Sequence, residues 1–166
     1  MEENRIKSVL EMIDPPKGHR PWHGGPTVSG ALRGVDHIAA AWKPFSDRHS
    51  IWELALHIAY WKYAVRRYLD PASKSGFPRV PSDWPRVSDP SAKAWKADKK
   101  LIANEHRTLI RSIREFSNER LDDKIRDDKE WTFIQLIMGI MAHDLYHIGQ
   151  IQLMKRLYKS SIKNSQ

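Results

Sequence analysis

Hydrophobic residues recur at three- and four-residue spacing in several stretches of the chain, the pattern typical of amphipathic helices. The first such stretch predicts a helix over residues 2–13 that ends at Asp14. Residues 27–43 predict one or two short helices, broken near Gly34 and stopped by Pro44. No stretch predicts a strand, so the fold class indicated by the pattern is all-α.

The next helix has a strong start signal. Ser50 stands three residues before Glu53, the spacing of a capping box in which each side chain satisfies an unpaired N–H group of the first turn. An apolar stripe then runs to about residue 69. Its members are Ile51, Leu54, Ile58, Trp61, Val65 and Tyr68. This segment is therefore predicted to be a long helix with one buried face.

Two further long helices are predicted in the second half of the chain. One begins near Asp89, with this aspartate as N-cap, and extends to about residue 116. The other begins at Thr132, which forms a second capping box with Gln135, and continues to about Tyr158, after which the tail should fray.

Four long helices with apolar stripes predict a four-helix bundle. The 166 residues suit one domain with its own core, so residues 1–166 are predicted to form a single helical-bundle domain. Residues 70–90 form a long connection rich in proline, which is compatible with a crossover between parallel neighbouring helices. A connection of this length in a compact domain is usually functional or mobile.

Two histidines, His143 and His147, stand four residues apart in the last helix, where they share one face within an apolar stripe. His57 lies on the predicted buried face of the helix that begins after Ser50. A lone inward histidine is usually a hydrogen-bonded core residue, but burying an unpaired polar group costs about 1–3 kcal/mol. A divalent cation bound by all three neutral imidazoles would remove that cost. A His₃ set leaves one coordination position open, as in catalytic zinc sites.

The stretch "HDLYH" places Asp144 where the metalloprotease motif H-E-x-x-H has its glutamate. Asp144 is thus a candidate catalytic residue or an acceptor that orients an imidazole. The alternative is a carboxylate that pairs with a neighbouring helix, and the sequence does not decide between them. Tyr146 and Gln150 are weaker candidates for polar groups near the site, and His106 is expected to be structural or exposed.

The amino-acid composition limits the kinds of site and partner that the chain can have. The chain has no cysteine, so disulfides and thiolate metal sites are excluded. Its formal net charge of +8 is spread over several segments, which indicates solvated helix faces rather than a nucleic-acid site. The longest apolar segment is interrupted by polar residues and does not predict a membrane span. The expected location is therefore the cytoplasm.

Four stretches of the chain, in this order, resemble the DinB-like (YfiT-like) superfamily of metal-dependent enzymes: "WHGGPTVSGALRGV", "HSIWELALHIAYWKYAVRRYL", "DWP" and "GIMAHDLYHIGQIQLMKR". The resemblance implies a four-helix bundle with one crossover connection. It also implies a divalent metal, zinc or nickel, held by His57, His143 and His147, and a homodimer. Characterised relatives include transferases and isomerases that use low-molecular-weight thiols, and others are called hydrolases by analogy.

The resulting hypothesis is a metal-dependent enzyme that acts on a small molecule, either as a hydrolase or as a low-molecular-weight-thiol S-transferase. The alternative is a non-catalytic metal-binding protein or a nucleic-acid-associated protein of the damage response. A bundle that only dimerises through exposed aromatic residues is a third possibility. Trp22 and Trp84 are expected to line a pocket or an interface.

Overall fold

The computed structural model describes residues 4–16, 18–19, 21, 23–72 and 76–164. Its helices, in chain order, are α1 (Arg5–Ile13), α2 (Val28–Ala31), α3 (His37–Ala41), α4 (Ile51–Leu69), α5 (Ala92–Glu115) and α6 (Phe133–Lys163). A short 3-10 helix, Asn118–Asp122, lies between α5 and α6. The described residues contain no strand, and one isolated bridge joins Lys124 to Thr132. The all-α prediction is therefore confirmed.

The four longest helices pack around a common interior. Helix α4 contacts both α5 and α6, and α1 contacts α5 and α6 as well. The short helices cover one end, since α2 packs on α6 and α3 packs on α4 and α5. The helical bundle is thus confirmed, whereas the crossover topology and the single domain over residues 1–166 stay predictions. No helix among the described residues combines the length and the apolar character that crossing a membrane requires.

The helices that carry the three histidines start where the sequence predicts. Ser50 Oγ accepts a hydrogen bond from the Glu53 backbone N–H at 3.2 Å, and Glu53 Oε2 accepts one from the Ser50 backbone N–H at 2.8 Å. Thr132 and Gln135 form the same reciprocal pair at the start of α6. Both capping boxes are therefore confirmed, and they fix the first turn of α4 and of α6.

The predicted start of α5 is wrong by two residues. Ser91, not Asp89, is the N-cap, and its hydroxyl accepts a hydrogen bond from the Ala94 backbone N–H at 3.2 Å. Asp89 instead accepts hydrogen bonds from the backbone N–H and the hydroxyl of Ser91, both at 3.0 Å. The aspartate side chain is thus used in the turn before the helix, where it orients the capping serine.

Helix α6 continues beyond its predicted end, through residues expected to fray. Its last residue is Lys163, and tertiary contacts hold the turns up to Tyr158 in place. The Lys155 ammonium donates hydrogen bonds to the carbonyl oxygens of Ala31 and Arg33 at 2.8 and 3.0 Å. The Tyr158 ring packs on Trp42 with ring centroids 5.5 Å apart. The end of α6 is therefore bound to α2 and to the end of α3.

Residues 27–43 contain the two short helices α2 and α3, in agreement with the prediction of one or two helices broken near Gly34. The break falls at Gly34, whose φ of 72° lies in the left-handed region that favours glycine. Helix α1 covers Arg5–Ile13 of the predicted 2–13, and residues 2 and 3 lie outside the described part of the chain. Trp22, expected to line a pocket or an interface, also lies outside it.

Candidate metal centre

Three histidine side chains from two helices meet in the interior of the bundle. His57 comes from α4, and His143 and His147 come from successive turns of α6. One ring nitrogen from each lies within 4.8 Å of the others. The Nε2 atoms of His57 and His143 are 3.1 Å apart. This is the convergence that the spacing in the sequence predicted.

Hydrogen bonds fix the orientation of the His57 ring. Its Nδ1 atom lies 2.6 Å from the backbone carbonyl oxygen of Asp83 and 3.2 Å from a carboxylate oxygen of the same residue. Both partners are hydrogen-bond acceptors, so Nδ1 carries the ring proton and donates a hydrogen bond to them. The other nitrogen, Nε2, therefore keeps its lone pair. The Trp61 indole N–H donates to the Asp83 carboxylate at 2.9 Å and holds it against the imidazole.

His147 is oriented in the same way by its own helix. Its Nδ1 donates to the side-chain oxygen of Gln150 at 2.7 Å, which leaves Nε2 as the unprotonated nitrogen. Gln150, a weaker candidate in the sequence, thus belongs to the site. The Tyr146 ring lies 4.9 Å from the His147 ring, centroid to centroid, and most of its surface is exposed.

The distance between the His57 and His143 nitrogens fits a single cation bound by both. Two imidazole nitrogens on a tetrahedral zinc ion, each at about 2.0–2.1 Å, lie about 3.3–3.4 Å apart. The separation of 3.1 Å between the Nε2 atoms of His57 and His143 is close to that value. Since His57 Nε2 carries a lone pair, the short separation requires a proton or a cation between the two nitrogens.

All three imidazoles are held in the neutral form that binds metals. Burial lowers the pKa of His57 and of His147 from the usual value near 6.5. Burial, with further contributions from the neighbouring His147 and His57, lowers the pKa of His143 to about 3. The three imidazoles are therefore uncharged at neutral pH, so a cation would not have to compete with imidazolium protons.

Trp84, from the long connection between α4 and α5, covers one face of the His57 ring. The two rings are parallel, with an interplanar angle of 8° and centroids 3.7 Å apart. His49 stacks on Trp84 just as closely, at 3.8 Å and 7°. Two rings cannot both stack at that distance on one face, so Trp84 lies between the two imidazoles. Trp84 also lines a cavity of about 310 Å³ together with His49 and Glu53, which confirms the expectation that it lines a pocket.

Asp144 does not point into the histidine cluster. Its carboxylate forms a buried ion pair with the Lys62 ammonium of α4, with the lysine side chain fully buried. Burial raises the pKa of the Asp144 carboxyl, and the adjacent ammonium opposes that rise. The sequence left open a pairing with a neighbouring helix, and this is the contact that the structure describes. The predicted catalytic role of Asp144 stays a prediction.

Several residues around the site were missed or misplaced by the sequence. Trp61, assigned to the buried stripe of α4, is 39% exposed, because its indole turns outward to reach Asp83. Asp83 was given no role, although it belongs to the stretch "DWP" that carries the resemblance, because a connection without periodicity does not indicate which residue meets a helix. Lys62 had a usable signal, since a lysine on the face of Ile58 and Val65 requires a buried anion opposite.

Comparisons with known proteins agree with this geometry. A model of the DinB superfamily matches residues 27–151, a range that contains all three histidines. No match was found among curated proteins, and none among solved structures.

Proposed function

Because the chain belongs to the DinB superfamily, we propose that it is a metal-dependent enzyme whose divalent ion is held by His57, His143 and His147. The observation that carries the proposal is the convergence of three neutral imidazoles, two of which have their second nitrogen fixed by an acceptor. Three nitrogen ligands leave a position for a small-molecule substrate. Zinc suits a tetrahedral set of this kind, and nickel also binds imidazole well.

A divalent cation at this position would act as a Lewis acid that makes a water or a thiol easier to deprotonate. The side chains around it would orient the imidazoles that hold the cation. Asp83 and Gln150 keep the ligand nitrogens of His57 and His147 directed at one point. The flat ring of Trp84 shields His57 from solvent on one face.

Of the two reactions considered, thiol transfer has the better support. Enzymes with the H-E-x-x-H motif use the glutamate of the motif as a general base for hydrolysis. Here the corresponding Asp144 is paired with Lys62, and the Asp83 carboxylate beside the cluster is held by His57 Nδ1 and the Trp61 indole N–H. A cation that lowers the pKa of a bound low-molecular-weight thiol would let the thiol proton pass to solvent, so thiol transfer would need no such base. Hydrolysis is the alternative.

The test begins with elemental analysis of the purified protein and of two variants. We expect about one metal ion per chain in the wild type, and its loss in His143→Ala, because two imidazoles hold a divalent ion far more weakly than three. His19→Ala, at an exposed histidine outside the cluster, is the matched control and should keep the metal. Stoichiometric metal in His143→Ala would contradict the assignment.

The reaction is tested with a screen for conjugation of low-molecular-weight thiols to electrophiles and a parallel screen for hydrolysis, each with and without a chelator. Turnover that a chelator abolishes and added zinc or nickel restores would support the enzyme. A metal-loaded protein without chelator-sensitive turnover in either screen would favour a non-catalytic metal protein. The homodimer and the cytoplasmic location stay predictions.

A further inference from the structure

A cavity of about 660 Å³ lies between α1, α2, α5 and α6. This volume is within the range of small-molecule pockets, about 300–1,000 Å³. Helix α6 contributes Met141, Asp144, Leu145 and Ile148 to its wall. None of the three histidines of the candidate metal centre belongs to the described lining, so the cavity is a second concave site.

Most of the cavity wall is apolar. All four helices contribute apolar side chains, which include Met12, Ile13, Val28, Ile102, Met141 and Ile148. A wall of this kind stabilises the apolar body of a ligand by removing it from water. The larger part of an occupant is therefore expected to be a hydrocarbon chain or ring.

Two exposed cations of the lining, Arg33 and Lys99, lie at the same end of the cavity. Lys99 follows Trp95 by one turn of α5, and its ammonium is 5.6 Å from the centroid of the Trp95 ring. The Trp95 indole N–H donates a hydrogen bond to the backbone carbonyl oxygen of Val35 at 2.9 Å. Arg33 stands two residues before Val35, so this contact brings it to the Lys99 end.

The acidic residues of the lining do not neutralise this end. The carboxylate of Asp14 lies 3.5 Å from His106 Nε2. His106 follows Lys99 by seven residues on the same face of α5, which separates the two positions by about 10 Å along the helix axis. The other acidic residue, Asp144, is already paired with Lys62. The cavity therefore has a cationic end and, two helical turns away, an anionic one.

The surface around the cationic end is also basic. Four exposed lysines occur within eight residues of α5, namely Lys93, Lys96, Lys99 and Lys100. The one acidic residue among them, Asp98, is buried and already accepts hydrogen bonds from Arg79 and from the Trp52 indole N–H. Neither Arg33 nor Lys99 forms an ion pair within the part of the chain that the structure describes. This end of the cavity therefore attracts anions.

We propose that this cavity binds a small amphipathic carboxylate, with its carboxylate at Arg33 and Lys99 and its hydrocarbon body against the apolar wall. Exposed cations suit the head group of an amphipath, because the head group keeps its contact with water while the apolar body is buried. Solvent screens each of these contacts, so most of the affinity comes from the body, and the charges select the sign of the head group. Asp14 at the other end disfavours the reverse orientation. The proposal does not depend on the metal.

Octanoate is a suitable probe, because it joins one carboxylate to an unbranched hydrocarbon chain. The protein is labelled with ¹³C at the methionine methyl groups and titrated by NMR. Met12 of α1 and Met141 of α6 line the cavity, and we expect saturable shifts of both signals. Octylammonium, with the opposite charge, should bind about tenfold more weakly, and neutral octanamide about threefold more weakly. His143→Ala should bind octanoate as the wild type does, which separates the cavity from a carboxylate bound by the metal.

Variants test the charged and the apolar part of the site separately. Arg33→Gln and Lys99→Gln should each weaken octanoate binding about threefold, and the double variant about tenfold. Lys100→Gln is the matched control, because it removes the same charge from the next position, which is absent from the described lining, and it should leave the affinity unchanged. Ala103→Trp, at an exposed position on the cavity wall, should block entry of the hydrocarbon chain.

Any of three results overturns the proposal. The first is the absence of saturable shifts up to about 10 mM octanoate, a concentration above the dissociation constant expected for a ligand of this size. The second is binding of octylammonium as tight as that of octanoate. The third is a loss of affinity in Lys100→Gln equal to that in Lys99→Gln, or no loss in the double variant. Should Ala103→Trp fail to fold, the charge variants and the three probes still decide.

Discussion

A single lysine inside the bundle explains why Asp144 lies away from the metal site. Lys62 has no exposed surface, and a buried ammonium is tolerated only with an anion beside it. Asp144 supplies that anion from α6, so the ion pair fixes the rotation of α6 relative to α4. Because Asp144 follows His143 and lies three residues before His147, it is a neighbour of both on the helix surface, and the rotation that buries Asp144 also directs both imidazoles to His57.

Removing the lysine tests this account at the level of one residue. Lys62→Met keeps the length of the side chain but leaves the Asp144 carboxylate buried without a cation. We expect a loss of about 3–5 kcal/mol in the free energy of unfolding, the usual effect of breaking a buried ion pair from one side. Urea denaturation followed by circular dichroism measures it.

The double variant Lys62→Met/Asp144→Leu is the matched control. It replaces the whole pair by apolar side chains of similar size, so most of the lost stability should return. A Lys62→Met protein within about 0.5 kcal/mol of the wild type would show that the pair does not hold the two helices together.

The connection between α4 and α5 is the element that completes the metal site. It contributes a backbone carbonyl and a carboxylate from Asp83, and an indole ring from Trp84, all on His57. The connection is itself tied down, because Arg79 donates hydrogen bonds to the Asp98 carboxylate of α5. The same carboxylate accepts the Trp52 indole N–H of α4 at 2.8 Å. The described part of this connection, from residue 76 onward, is thus held in place against both helices.

Asp83→Ala is the variant that isolates the contribution of this connection. It keeps the carbonyl acceptor of His57 but removes the carboxylate and the partner of the Trp61 indole. We expect zinc affinity to fall about tenfold, the lower end of the effect usual for groups that orient metal ligands. Competition with a chromophoric chelator measures it. Asp89→Ala, in the same connection but without contact to His57 in the described hydrogen bonds, should bind zinc as the wild type does.

Local signals predicted the helices well, and distant contacts account for what the sequence missed. The capping boxes placed the starts of α4 and α6, because both partners lie within four residues. The start of α5 was misplaced because Asp89 and Ser91 are both good N-caps, and only the structure shows which one is used. The C-terminal part of α6 is held by the hydrogen bonds of Lys155 to the carbonyl oxygens of Ala31 and Arg33, which no local pattern reveals.

The residues of the candidate site likewise fall into those that local patterns predict and those that only distant contacts place. The three histidines could be predicted because helix geometry alone places His143 and His147 on one face, and the apolar stripe of α4 places His57 inside. Asp83 and Trp84 lie 26 and 27 positions beyond His57 in a segment without a repeat, so their contact with it could not be predicted.

At the scale of the whole molecule, a row of apolar side chains is exposed along α6. Met138, Leu145 and Leu153 recur at spacings of seven and eight residues and are between 42% and 57% exposed. A row with this period can pair with the same row of a second copy, which favours the expected homodimer. Leu153→Glu should therefore shift the protein towards monomer in sedimentation velocity, since it buries a charge in the contact. Lys100→Glu, on the exposed surface of α5, should not, and a wild-type monomer would contradict the prediction.

Metal binding should stabilise the entire bundle, because His57 belongs to α4 and the other two ligands belong to α6. An ion that binds only the folded chain adds about 2.7 kcal/mol at a free concentration of 100 times its Kd. For a chain of 166 residues this corresponds to a rise in Tm of about 5–10 °C. Thermal denaturation with zinc, and again after excess chelator, measures the rise and its reversal. His143→Ala should show no rise, and an equal rise in both proteins would mean that zinc binds elsewhere.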